Sequence, residues 1–268
     1  MEDIQKVLES RSFLSPRQII EYVGETVQTY DKYPDWETYY DIITGVFGKQ
    51  VKGMSREEVY KQIEELGKSK IFLYPFNGNY GFITKEYRLP DGKHARFYLN
   101  AHDAAGRKGI LEAIVGKFKE GFKIKTIGTA KEGFARYDNT LFYVGINDSA
   151  KYIDFLTDLS AQHPEYFDDE VPILTKRVAR GIGYGVSAAK GNVIVLGSPI
   201  NTENFSFNTL HSLVFQRTFD KAAADGIEDY DIITNIYKYA LAGARFDPEK
   251  PYLHAGMKDP FEMAEIKI

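Results

Sequence analysis

Apolar positions recur along the chain in two rhythms, and the change from one to the other divides it. After Ser15-Pro16, a serine N-cap with proline at the first helical position, Ile19, Ile20, Val23 and Val27 return at helical spacing. Ser55-Arg56-Glu57-Glu58 reads as a capping box, whose serine and glutamate satisfy each other's free backbone donors, opening a helix that ends near Gly67. At Ile71 the rhythm changes. Runs rich in aromatic and β-branched residues, broken by glycine, predict strands over 71–74, 80–84 and 95–100. Leu89-Pro90-Asp91-Gly92 is a turn signal between the last two and predicts a hairpin.

From residue 104 onward the two rhythms alternate. A helix over about 104–119 carries Ile110, Leu111, Ile114, Val115 and Phe118 on one face, strands follow at 122–127 and 141–146, and a second helix covers about 149–162. Pro164 and Asp168-Asp169-Glu170 mark a loop before a run at 171–178, and helices are expected at 208–224 and 229–242. The pattern predicts an α+β fold: a helical N-terminal region, 1–70, then an α+β domain, 71–268, with a mainly antiparallel sheet and flanking helices. No internal repeat or low-complexity segment interrupts it.

Composition limits what such a fold does. In 268 residues, 43% hydrophobic and 27% charged, there is enough apolar material for a large core. A formal net charge of -4 argues against a general nucleic-acid binder, which needs a broad cationic surface to displace counterions, so any phosphate recognition is expected to be local. The absence of cysteine excludes disulfides, thiolate zinc sites and cysteine nucleophiles. Met1 to Lys6 lack the basic-then-apolar pattern of a secretory signal, and no run has the length and apolarity of a membrane span, so a cytoplasmic protein without a membrane partner is expected.

Local cationic chemistry is present in Arg96-Phe97-Tyr98-Leu99-Asn100, Lys125, Arg136-Tyr137-Asp138, Lys176-Arg177 and Arg180. Cationic and phenolic side chains on successive strands suit a phosphorylated ligand, because the planar arginine fork binds phosphate through two donors at once. Plainer readings stand beside this one. Alternate residues of 96–100 also fit a solvated strand face. Lys123 and Lys125 fit an edge strand guarded by lysines. Arg136-Tyr137-Asp138 also fits a turn with a local ion pair, and Lys176, Arg177 and Arg180 a surface charge run.

Taken in order, Arg96 to Asn100, Arg136-Tyr137-Asp138 with Leu141-Phe142-Tyr143, Val171 to Lys176 with Gly181-Ile182-Gly183, and Ser206-Phe207 opening a helix resemble the HopA-type effector family across roughly residues 86–225. That family is also found beside ribosomal-peptide biosynthesis enzymes. The resemblance implies a phosphoserine or phosphothreonine lyase of the class V lanthipeptide and thioamitide kind. A separate serine/threonine kinase would phosphorylate a precursor peptide, and the lyase would expel phosphate to leave dehydroalanine or dehydrobutyrine, with no cofactor and no metal. A more distant similarity to the OspF and SpvC phosphothreonine lyases implies roles. Tyr98 would occupy the general-acid position, where those proteins have histidine, Lys125 that of the lysine base, and Arg136 that of a following arginine. Where the family has an arginine after Ser-Phe-Gly, this chain reads Ser206-Phe207-Asn208-Thr209-Leu210-His211, so His211 is expected to replace that cation.

The implied chemistry is consistent with the residues. A lysine among cations or out of water can have its pKa lowered to roughly 7 to 8, which frees its amine to take an α-proton. Negative charge developing on the carbonyl and then on the departing phosphate needs donors, for which Arg96, Arg136, Lys176, Arg177 and Arg180 are candidates. His94, His102, His163 and His254 stand alone in sequence and are read as structural or exposed. Gly181-Ile182-Gly183-Tyr184-Gly185 lacks both the P-loop lysine and the Rossmann spacing and is read as a turn near the substrate groove. Asp168-Asp169-Glu170 is read as solvated. Two alternatives come from other classes: a type III effector acting by protein binding, and a noncatalytic phosphopeptide-binding module that would need the arginines but not Lys125.

Overall fold

The computed structural model describes residues 13–29, 34–45, 71–76, 79–84, 94–118, 123–127 and 136–264. The N-terminal helical rhythm gives α1 (Pro16–Val27), whose cap is a reciprocal box: the Ser15 hydroxyl accepts from the Gln18 backbone N–H, and the Gln18 side chain accepts from that of Ser15. The periodic residues Ile19, Ile20 and Val23 are all buried. A second helix, α2 (Trp36–Thr44), starts on the Asp35 side chain and stops at Gly45 in the left-handed region. The expected capping box at Ser55, the helix end near Gly67 and the turn at Leu89 to Gly92 lie outside the described residues.

Two compact units emerge, and they do not follow the expected boundary at residue 70. One comprises Met1–Phe47, Ile173–Lys176 and Gly185–Ile268, and the other Gly48–Pro172 and Arg177–Tyr184. In the first, α1 packs on α6 (Tyr230–Gly243) and α2 on α5 (Phe207–Ala224), while α5 and α6 pack on each other. Aromatic rings hold that core: Tyr39 stacks on Phe219 at 5.8 Å and Phe215 on Tyr237 at 5.0 Å. N- and C-terminal helices share one core because each has one apolar stripe that needs a partner. A small hairpin, β8 (Asn192–Val195) with β9 (Ser198–Asn201), and a short helix, α7 (Pro260–Ala264), also belong to it.

The second unit holds most of a seven-stranded sheet of order β1-β2-β4-β5-β3-β7-β6. Its strands are β1 (Ile71–Phe76), β2 (Asn79–Thr84), β3 (His94–Leu99), β4 (Lys123–Ile127), β5 (Thr140–Gly145), β6 (Lys176–Ala179) and β7 (Ile182–Val186). The pairs β1–β2, β2–β4, β4–β5 and β5–β3 are all antiparallel, so the fold is the α+β type expected. Two local expectations need correction. The hairpin expected across Leu89 to Gly92 does not form, because β2 pairs with β1 and β4 while β3 pairs with β5. A turn signal fixes a change of direction but not which strands meet. The run at 171–178 is strand only from Lys176, and the glycine-rich 181–185 is a turn only at its start, the rest being the buried strand β7.

Helices α3 (Ala104–Lys117) and α4 (Ser149–Gln162) flank the sheet. Phe142 of β5 meets Tyr152 of α4 edge-on at 5.1 Å, and Phe118, at the end of α3, lies 4.6 Å from the Tyr152 ring. Phe142 stands opposite both Phe97 and Ile124, and all three are fully buried. This is the sheet's apolar face.

Gly181, between β6 and β7, has φ +62, and a Cβ there would press on the Asp168 carbonyl. Its own carbonyl accepts from Asn100 N–H at 2.8 Å, and the Asn100 carbonyl accepts from Asp168 N–H at 3.0 Å, so three segments join at the end of β3. Gly181→Ala is expected to lose about 1–3 kcal/mol from the left-handed backbone alone, with the Asp168 clash adding to it. A urea unfolding midpoint equal to wild type would show that this junction relaxes freely.

Candidate active site

The register of three strands gathers the predicted residues. Arg96 on β3 and Lys123 on β4 both stand opposite Tyr143 on β5, and in the next row Tyr98 and Lys125 both stand opposite Leu141. Cross-strand partners share a face, and so do residues two apart on one strand. Arg96, Tyr98, Lys123, Lys125, Leu141 and Tyr143 therefore occupy the face opposite Phe97, Phe142 and Ile124. On the far side of β4, Gly81 of β2 stands opposite Lys125.

This face is not the solvated surface that alternation alone allows. Arg96 is 8% exposed and Tyr98 and Asn100 essentially not at all. Arg96 lies over the Tyr143 ring at 4.9 Å and Lys123 over the same ring at 5.4 Å, so one phenol ring serves two cations. The turn before β5 contributes Arg136 and Asp138. Their side chains form a buried forked pair, Nε to Oδ1 at 2.7 Å and Nη2 to Oδ2 at 3.0 Å, which is the local ion pair the sequence allows. Asn139 anchors the turn to the end of β3: its amide donates to Ala101 O at 2.9 Å and Asn100 Oδ1 at 3.2 Å, and its carbonyl accepts from Ala101 N–H at 3.1 Å.

The surroundings change the acid-base character of both central groups. Lys125 is held below the ordinary lysine value, first by burial and then by Arg96. Asp138 opposes this, and Arg136 and Lys123 add to it. Burial pushes the Tyr98 phenol well above its usual value, and the Arg96 guanidinium partly offsets that push. A half-buried amine that loses its proton more easily than an ordinary lysine thus shares a face with a phenol that keeps its own.

The remaining sequence candidates lie elsewhere. Lys176 belongs to the helical unit, where its Nζ is 3.4 Å from the buried Asp259 carboxylate and 4.4 Å from the Phe261 ring centre. Tyr252 donates to the same Asp259 at 2.6 Å. Arg177 is on the edge strand β6, separated from β5 by β7 and β3. Arg180 spends its guanidinium on Asp169 at 3.0 Å and on the Phe167 carbonyl at 3.1 Å, clamping the 167–169 segment. His211 is the clearest correction. It is fully buried on α5, 4.2 Å from the Phe246 ring and 4.4 Å from that of Phe207. Burial pushes its pKa down to about 3, with the Pro251 backbone pulling the other way, so at neutral pH it is uncharged and does not replace an arginine.

Sequence reading gave Tyr143 no place in the site and read His94 as structural or exposed. His94 opens β3 two residues before Arg96, its ring 5.6 Å from that of Tyr143. The signal available was parity: each lies an even number of strand positions from a named residue. Of the other histidines, His102 pairs with Asp168 at 2.7 Å, His163 with Glu165 at 3.2 Å, and His254 with the Ser187 carbonyl at 2.7 Å. Asp168 and Asp169 are thereby engaged by His102 and Arg180, which accounts for most of the acidic run. Among the described residues no group of three or more His, Asp or Glu side chains is placed to hold a metal, and no helix is long and apolar enough to cross a membrane.

The α+β fold has counterparts among bacterial effectors. Residues 76–205, which include every residue of this face, match the model of the HopA1 effector protein family. Two solved structures have the same fold. The effector protein from Pseudomonas syringae pv. tomato strain DC3000 is 17% identical over 88% of this chain and 95% of its own, with a TM-score of 0.61. The effector protein from Pseudomonas syringae pv. syringae strain 61 is 18% identical over 88% of this chain and 96% of its own, with a TM-score of 0.60. No curated protein matches the chain.

The state of His211 can be read from stability. Its folded pKa, about 3, lies below the ordinary value of 6.5, so the unfolded chain binds the proton first. Stability is therefore lost as pH falls through this window, by at most about 1.4 kcal/mol per pH unit. His211→Phe, which keeps the ring stack, is expected to flatten the decline between wild type's stability at pH 6.5 and pH 4. Equal slopes in denaturant titrations of the two proteins would mean that His211 takes up its proton as easily in the fold as in the unfolded chain.

Proposed function

We propose that this chain is a phosphoserine/phosphothreonine lyase. It would eliminate phosphate from a precursor peptide phosphorylated by a separate serine/threonine kinase, leaving dehydroalanine or dehydrobutyrine in ribosomal peptide natural product biosynthesis. The observation that carries the reading is Lys125, an amine whose proton is loosened by burial and by Arg96, sharing a sheet face with a protonated phenol and further cations. The resemblance of the motifs to the HopA-type family supports the choice of substrate, and the family match over 76–205 supports that resemblance.

In this reaction Lys125 takes the α-proton of the phosphorylated residue. The electron pair left on Cα forms the Cα–Cβ double bond as the Cβ–O bond breaks, and phosphate leaves with the Cβ–O pair. Charge that builds on the peptide carbonyl and then on the phosphate oxygens is met by Arg96, Lys123 and Arg136, already fixed before substrate arrives. Tyr98, which holds its proton, supplies it to the departing oxygen. Such a proton transfer contributes typically 10²–10⁴-fold and matters less as the leaving group becomes less basic. A noncatalytic phosphopeptide module would use the arginines equally well, but it gives no role to a half-buried lysine with a lowered pKa.

Lys125→Met is expected to abolish phosphate release from a phosphopeptide, followed by mass spectrometry of the dehydrated product, with phosphopeptide affinity nearly unchanged. Full turnover in that variant rules out the base, and binding without turnover in the wild type selects the binding module. With Lys125 as the base, the wild-type rate should rise with pH through a midpoint below the ordinary lysine value of 10.5.

Arg96→Ala tests the charge. It should weaken phosphopeptide binding by roughly 1.5–3 kcal/mol per charged hydrogen bond removed and leave unphosphorylated peptide unaffected. Equal losses for both peptides, measured by calorimetry, would give Arg96 a role in the fold only.

A further inference from the structure

The cationic face contains one carboxylate whose place the elimination does not require. Asp138 transfers no proton and would repel phosphate, yet it is 2% exposed and takes both ends of the Arg136 fork. A buried carboxylate beside a phosphate-binding face is retained against both desolvation and substrate repulsion, so it needs a compensating task. We infer that Asp138 is a positioning residue of this face: its carboxylate fixes the Arg136 guanidinium and supplies the countercharge to the cations around Lys125. The inference rests on the lyase reading for its consequence in catalysis, but not for its electrostatic content.

The geometry supports both halves. Asp138 and Arg136 sit two apart in a turn that Asn139 pins to the end of β3, and the chain runs from that turn directly into Thr140, opposite Thr126 of β4 and one position from the Lys125–Leu141 pair. The groups facing Lys125 are Arg96 and Tyr98 from β3, Lys123 from its own strand, Tyr143 from β5, and Arg136 and Asp138 from the turn. Within that set Asp138 is the one carboxylate. Burial and three cations favour the free amine of Lys125, and Asp138 opposes them. The opposition has a chemical use. A lysine whose pKa falls too far is free of its proton but too weak a base to remove one from carbon, and the best base is poised near the working pH. Asp138 thus keeps Lys125 basic while the cations keep it free.

The test is the protonation midpoint of Lys125, measured without substrate by competitive acetic anhydride labelling across pH with mass spectrometric quantification. Asp138→Asn should lower that midpoint by about one pH unit, in line with the loss of one nearby opposite charge. The rising limb of kcat/KM for phosphate release should move down with it. Asp138→Glu, which keeps the charge, should restore both toward wild type. An unmoved midpoint in folded Asp138→Asn overturns the inference, even if activity falls. If Asp138→Asn does not fold because Arg136 is left without its partner, the double variant Arg136→Gln, Asp138→Asn removes one charge of each sign. Its midpoint should stay near wild type. A rise, as loss of the Arg136 cation alone would give, means that Asp138 exerted no field on Lys125 and overturns the proposal. If the wild type releases no phosphate, the lyase reading fails, while the labelling midpoint still decides the role of Asp138.

Discussion

The antiparallel register of β4, β5 and β3 is the constraint on which the candidate site depends. It sets Lys125 and Tyr98 on either side of Leu141 and Arg96 and Lys123 on either side of Tyr143, while it turns Phe97, Phe142 and Ile124 to the opposite face. A slip of one residue in either pairing would turn one strand over, placing its charged residues among the aromatic cluster and its apolar residues among the cations. The packing of Phe142 against Tyr152 and Phe118 therefore does more than fill a core. By anchoring the apolar face it fixes which side chains are left for chemistry.

Burial of so many cations on one face is costly unless each finds compensation, and the structure provides it in three ways. Tyr143 offers its ring to Arg96 and Lys123, Asp138 takes the Arg136 fork, and Lys125 has a lowered affinity for its proton. Compensation of this kind leaves the groups ordered and poorly hydrated. An anion entering such a surroundings meets charges that need no rearrangement, which is the condition under which electrostatic stabilisation is most effective. Lys176 and Arg180 are likewise each matched by a carboxylate, Asp259 and Asp169.

His211 illustrates how tertiary context reverses a local analogy. An exposed imidazole, which takes up its proton at about pH 6.5, can stand in for a lost cation in mildly acidic solution. Placed on α5 between Phe207 and Phe246, it loses the water that would stabilise its charge and becomes part of an aromatic stack. The helix itself begins where Ser206 predicts, its hydroxyl accepting from Thr209 N–H. Local signals were sufficient for the element and insufficient for the environment of one residue within it.

By itself the sequence determined the α+β class, the places of most helices and strands, and the presence of Arg96, Tyr98, Lys125 and Arg136 as alternating polar positions on strands or beside one. These follow from period and capping, which act within a few residues. The tertiary structure alone decided that β2 pairs with β1 and β4 instead of β3, that N- and C-terminal helices form one unit, and that Arg96 and Tyr98 are buried instead of solvated. It also decided which cations act together. Strand order, burial and the partner of each charge depend on segments far apart in the chain, and a local pattern carries no information about which distant segment will lie beside it.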